Sequence, residues 1–147
     1  MPNHQELIKR TGEKAASLYR EGQFLCSEAV LYVTNELTGS KLPPEIVKLA
    51  SGLPVGIGSS GCVCGALSGG VLALGLTFGR TNPGADNSAM FIAAKKLHDL
   101  FKKEFGSTCC RVLIRDFQFG SPEHLEHCVS VTRFTTEKVA ELTLAAR

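Results

Sequence analysis

From residue 49 to residue 78 the chain carries no charged side chain, and within that stretch residues 62–78 read CVCGALSGGVLALGLTF. An uncharged run of this kind must be buried, either in a bilayer or in a protein core. The apolar part proper falls short of the roughly 20 residues that a membrane-crossing helix needs. Four glycines and a serine also interrupt it. The expectation is a central helix buried inside a soluble domain, with no membrane span.

The glycines narrow this further. Gly61, Gly65 and Gly69 recur every fourth residue, with Ala66, Gly70 and Ala73 alongside. In a helix that spacing leaves one face almost free of side chains. Each interior glycine costs up to about 1 kcal/mol relative to alanine, so the face needs a reason. Close approach of another backbone is one, and room for a bulky inorganic cofactor is another. The same face could form the seam of a homodimer.

The remaining segments read as helices that wrap this centre. Residues 5–21 form the first, with Ile8, Ala15, Leu18 and Tyr19 inward and Gly22 as its stop. In residues 25–37, Cys26, Val30, Val33 and Leu37 make one stripe at helical period. Pro43 and Pro44 open a short helix to about residue 51. Residues 85–105 place Met90, Ala94, Leu97 and Phe101 on one face, and residues 109–114 suit a short helix. Ser121, Pro122 and Glu123 start a last helix to about residue 145, with Leu125, Cys128 and Thr132 on one side. No strand is evident. The expected fold is all-α: one domain over residues 1–147, a bundle of about five to six helices around the glycine-rich one.

Composition excludes some functions. A chain that is 44% hydrophobic is not a disordered one. Its net charge is only +2, and Lys95, Lys96, Lys102 and Lys103 lie near Asp99 and Glu104, so no nucleic-acid partner is expected. The opening MPNHQELIKRTGEK lacks the basic start and apolar core of a secretory signal, which makes a cytoplasmic location the expectation. In that compartment six cysteines are more often metal ligands, redox thiols or buried residues than structural disulfides.

Two chemistries overlap in GIGSSGCVCGALSGG, residues 56–70. Gly56, Gly58 and Gly61 spell G-x-G-x-x-G. A dinucleotide fingerprint needs a strand before it, a helix after it and an acid about 20 residues on. Residues 43–52 before it read as a helix, and no βαβ unit follows. These glycines are expected to make a sharply turning loop.

The cysteines carry more. Cys64 sits at the start of the central helix, where the dipole and free amides favour a thiolate. Cys26 and Cys128 lie on inward stripes of other helices. The opposing reading is that each cysteine is a small buried hydrophobe. Cys26, Cys64, Cys110 and Cys128 are separated by 38, 46 and 18 positions, which matches no zinc-finger template. Cys62 beside Cys64, and Cys109 beside Cys110, are extra thiols.

These residues also carry a resemblance. FLCSEAVL around Cys26, the block CGALSGGVLALGLTFGR from Cys64 to Arg80, Cys110 followed by Arg111-Val112-Leu113, and HLEHCVSV around Cys128 resemble a family of bacterial and archaeal proteins of about this length. The family is described as redox-active and is named for the cysteine pattern C…GCAxxG…C…C. The resemblance covers the whole chain and implies a helical protein with an iron–sulfur cluster or other thiol redox work. Read literally, the motif wants Gly-Cys-Ala. Here Gly61-Cys62 is followed by Val63, and Cys64-Gly65-Ala66 fits the form C-G-A-x-x-G, so the second family cysteine falls on Cys64.

Three functions follow as expectations. The leading one is electron transfer to a redox partner protein through an iron–sulfur cluster on Cys26, Cys64, Cys110 and Cys128, with Gly61 and Gly65 giving the cofactor backbone access. The second is a cofactor-free thiol–disulfide protein with Cys64 as nucleophile. The third is a partner-binding helical module whose thiols hold zinc or nothing. His124 and His127 are three apart on one helix and could support a metal, although exposed helix histidines of this kind are commoner. Glu28 reads as a solvent-facing acid or as an acceptor behind Cys26. No Ser-His-Asp signature is present.

Overall fold

The computed structural model of the chain describes residues 1–147. Its elements are α1 (His4–Arg20), α2 (Cys26–Leu37), a 3-10 helix (Pro44–Ala50), a four-residue turn α3 (Pro54–Ile57), α4 (Gly65–Phe78), α5 (Ser88–Phe105), α6 (Cys110–Leu113) and α7 (Pro122–Ala145). The all-α expectation holds. The short helix expected over residues 109–114 is α6, and the one added element, α3, is a single turn, too short for periodicity to announce.

Local chemistry sets the ends of the long helices. Asn3 caps α1 through its side chain, which accepts the Glu6 N–H at 2.9 Å, while Glu6 accepts the Asn3 N–H. Ser121 accepts the His124 N–H at 3.1 Å at the start of α7, with Pro122 in the first turn. Helix α5 begins three residues later than the pattern suggested, because Asp86 accepts the Ser88 hydroxyl and N–H and holds the preceding residues in a turn.

Helix α4 lies at the centre. It buries Ala66, Leu67, Ala73 and Leu74 together with Gly65, Gly69 and Gly70. Its neighbours are α2 on one side and α5 and α7 on the other, while α1 packs against α7 and α2. A methyl at Gly69 would stand 2.5 Å from the Ser27 Cα of α2, and one at Gly70 would stand 2.9 Å from Leu97 Cδ2 of α5. The glycine face is therefore filled by this chain's own helices, and it cannot serve as a homodimer seam. Close approach explains these glycines: Gly69 lets the α4 and α2 backbones touch, and Gly70 makes room for side chains of α5 and α7.

Helix α7 carries buried threonines instead of a purely apolar stripe. Thr132, Thr135 and Thr136 each donate a hydroxyl to the carbonyl one turn back, at 2.7–2.8 Å. That hydrogen bond is what permits their burial.

Helix α4 begins at Gly65, three residues after the apolar run itself begins at Cys62. Residues 61–64 are not helical, and Val63 pairs with Cys109 in an antiparallel bridge. The Cys64 N–H donates to the Thr108 carbonyl at 2.8 Å, and the Cys110 N–H donates to the Cys62 carbonyl at 2.6 Å. Cys64 is thus the residue that caps α4.

Before this pair the backbone turns left-handed. Val55, Gly56, Ile57, Gly58 and Ser59 in succession have φ between +55° and +68°. Three of the five are not glycine, and a side chain costs roughly 1–2 kcal/mol per residue in this region. A methyl at Gly56 would stand 2.3 Å from the Cys62 nitrogen, so only glycine fits there. The Val55 and Gly56 carbonyls accept the N–H groups of Gly61 and Cys62 at 3.1 and 3.0 Å. The glycines of the G-x-G-x-x-G string make this turn, as the loop reading expected.

Candidate functional site

Cys26, Cys64, Cys110 and Cys128 come from four different segments and line one cavity of about 140 Å³. Each is placed by a feature described above. Cys26 is the first residue of α2, which the Glu28 carboxylate caps by accepting the Leu25 N–H at 3.0 Å. Cys64 caps α4, Cys110 opens α6, and Cys128 faces inward from α7.

Gly65 belongs to this cavity. A methyl on it would lie 2.6 Å from Cys26 Sγ and 3.0 Å from the Pro54 Cα, so glycine keeps the floor open. Gly61 is placed elsewhere. It lies in an outer groove beneath Arg111, whose guanidinium nitrogens would stand 3.1 Å from an added methyl. Arg111 also donates to the Ser60 carbonyl at 2.9 Å.

Burial dominates the thiols. The N–H groups of Leu67 and Ala66 at the head of α4 point toward Cys64 and favour its thiolate. Burial outweighs them and pushes this thiol up to about 11. Cys26 is pushed up further by burial and then by the Cys64 charge, against the help of the Ser27 N–H. Cys110 and Cys128 are raised for the same first reason. All four are protonated at neutral pH when nothing is bound. Cys64 is therefore not the ready thiolate that its helix-start position alone suggests.

Tyr19 was expected only as an inward residue of α1. It lines the cavity with Cys128, and its hydroxyl favours the Cys128 thiolate. Burial and the surrounding thiols raise the phenol well above its ordinary range, so it stays a donor. The available signal was its place on the inner side of α1, since a buried tyrosine hydroxyl needs a partner.

His124 and His127 both face the cavity rather than open solvent. Phe117 stacks on His127 with ring centres 4.7 Å apart, and Phe119 packs on His124 at 4.8 Å. His127 Nε2 is buried and has no hydrogen-bond partner. Burial, followed by the neighbouring His124, lowers its affinity for a proton. Glu28 is not behind Cys26: its second oxygen accepts the Ser51 hydroxyl at 2.9 Å and ties α2 to the loop. Leu25 and Phe119, 46% and 65% exposed, form the outer rim of the cavity.

The extra thiols lie outside. Cys62 is exposed, and the Cys109 thiol donates to the Gly61 carbonyl at 3.1 Å. All six cysteines are free. No three His, Cys, Asp or Glu side chains gather as ligands of a single metal ion. No helix is long and apolar enough to cross a membrane.

No curated protein and no solved structure matches the chain. The model of the family described as "Putative redox-active protein (C_GCAxxG_C_C)" matches residues 24–142, a span that holds all four cavity cysteines, and the chain belongs to that family.

Proposed function

We propose that this redox-active protein carries electrons to and from a partner protein through an iron–sulfur cluster held by Cys26, Cys64, Cys110 and Cys128. The observation that carries the reading is the meeting of these four thiols, from four segments, around one cavity. The donor set suits the group, because thiolates are the usual ligands of such clusters. Sulfurs around one tetrahedral zinc lie about 3.8 Å apart, given Zn–S bonds of about 2.3 Å. The side chains here are not gathered in that way, and the cavity is larger than one ion requires.

When bound, such a cluster supplies one-electron transfer at a potential set by its surroundings. The chain's own groups do the rest. The four thiols give up their protons on loading, so loading is favoured as pH rises. The N–H groups of Leu67 and Ala66 on Cys64, of Ser27 on Cys26, and the Tyr19 hydroxyl on Cys128 offset negative charge on the sulfurs. The lining is mostly apolar, which lowers the local polarity around the sulfurs. The rim at Leu25 and Phe119 brings the site near the surface, where a partner can exchange electrons.

The test is anaerobic purification and reconstitution, followed by iron and sulfide analysis and visible absorption. Iron, sulfide and a brown chromophore are expected. Serine in place of any one of Cys26, Cys64, Cys110 or Cys128 removes them, whereas Cys62→Ser and Cys109→Ser keep them. A colourless, iron-free protein after reconstitution overturns the reading.

A further inference from the structure

Cys110 differs from the other three cavity thiols in its position. It lines the cavity and also the outer groove that holds Gly61, Ser60 and Arg111. Directly across from it stands Cys62, which is exposed. The register follows from the hydrogen bonds: Val63 faces Cys109, so Cys62 faces Cys110, and the Cys110 N–H donates to the Cys62 carbonyl at 2.6 Å. Opposed residues that exchange both such bonds have Cα atoms about 5.5 Å apart and side chains on the same face of the pair; here one of the two bonds is made, since the Cys62 N–H goes to the Gly56 carbonyl, and it holds the two backbones at a comparable separation. That separation lies in the middle of the roughly 4.4–6.8 Å range that a disulfide spans.

We propose that Cys62 and Cys110 form a reversible disulfide with small-molecule disulfides of the glutathione type, which removes Cys110 from the four-thiol site. The Cys62 sulfur, as thiolate, attacks one sulfur of the small disulfide, forming a mixed disulfide and releasing one small thiol. Cys110 then attacks the Cys62 sulfur, closing the protein disulfide and releasing the second small thiol. In total two protein thiols are oxidised and one small disulfide is reduced to two thiols, and the two protons leave on those thiols. Excess small thiol reverses both steps.

The neighbouring cysteines fit this role less well. Cys109 lies on the other face of the pair with Val63, and its thiol is engaged by the Gly61 carbonyl. Adjacent residues across a trans peptide have Cα atoms about 3.8 Å apart, below the disulfide range. Cys26, Cys64 and Cys128 lack Cys110's access to the outer groove.

The disulfide step itself needs no cofactor; its effect on loading rests on the four-thiol reading. The full chain, reduced and metal-free, is treated with glutathione disulfide, and its disulfides are mapped by peptide mass spectrometry. A Cys62–Cys110 link is expected. It should persist in Cys109→Ser, vanish in Cys62→Ser, and reverse with reduced glutathione. A Cys109–Cys110 link, a link confined to the cavity cysteines, or a stable glutathione adduct on Cys62 alone overturns the proposal. In the second arm, oxidised wild type should take up no iron until reduced, whereas Cys62→Ser treated alike should load normally. Equal loading of oxidised and reduced wild type overturns the switch. If neither state ever loads but the Cys62–Cys110 link forms, the cluster reading fails and the disulfide stands.

Discussion

At the scale of single residues the site is decided by competition between burial and hydrogen bonding. Cys64 has the head of a helix to favour its thiolate, yet burial wins and the thiol sits near 11 instead of its ordinary 9.0. A raised thiol adds stability that is complete below the unfolded value and is lost as pH climbs through the folded one. The stripped protein should therefore hold its stability up to about pH 9 and lose roughly 2–3 kcal/mol by about pH 11 through Cys64. Urea titrations at several pH values check this. In Cys64→Ser the decline over that window should shrink; an unchanged slope would mean that Cys64 is not the group responsible. Cys64 was recognisable in the sequence because it adjoins the glycine run. Tyr19 was visible only as an inward residue, because its partner Cys128 lies on a distant helix.

At the scale of elements, the left-handed turn before α4 is the least expected piece. Ile57 has φ near +68° and is 49% exposed, so it bears strain with little packing in return. Ile57→Gly should raise stability by about 0.5–1 kcal/mol, because relief of strain outweighs the added freedom of the unfolded chain. A denaturant midpoint that falls in Ile57→Gly would show that the side chain's packing matters more. The turn matters to the site because Pro54 and Val55 line the cavity and Gly56 holds the Cys62 N–H. A loop was legible in the glycine string. Its handedness was not, since Val55, Ile57 and Ser59 read locally as ordinary residues and only the closure onto Cys62 forces them to positive φ.

For the whole molecule, the four cysteines connect α2, α4, α6 and α7, so the proposed cluster, when bound, would link occupancy of the cavity to global folding. Stripping the bound group with a chelator should lower the melting temperature. At a free concentration about 100 times Kd the linkage is about 2.7 kcal/mol. For a chain of this length that is on the order of 5–10 °C. Thermal melts of loaded and stripped protein followed by circular dichroism read it directly. Equal melting temperatures would mean that the bound group contributes nothing to the fold.

The amino-acid pattern by itself determined the helical class, the buried glycine-rich centre, and the inward placement of Cys26 and Cys128. Those properties depend on periodicity within one segment, and a single helix reports its own faces. Tertiary structure alone decided that α2, and not a second copy of the chain, fills the glycine face. It also decided that Gly61 lies under Arg111 outside the cavity, and that Cys62 and Cys110 stand opposite each other. Each of these is a contact between segments far apart in the chain, and such contacts follow from how helices pack rather than from the pattern along any one of them.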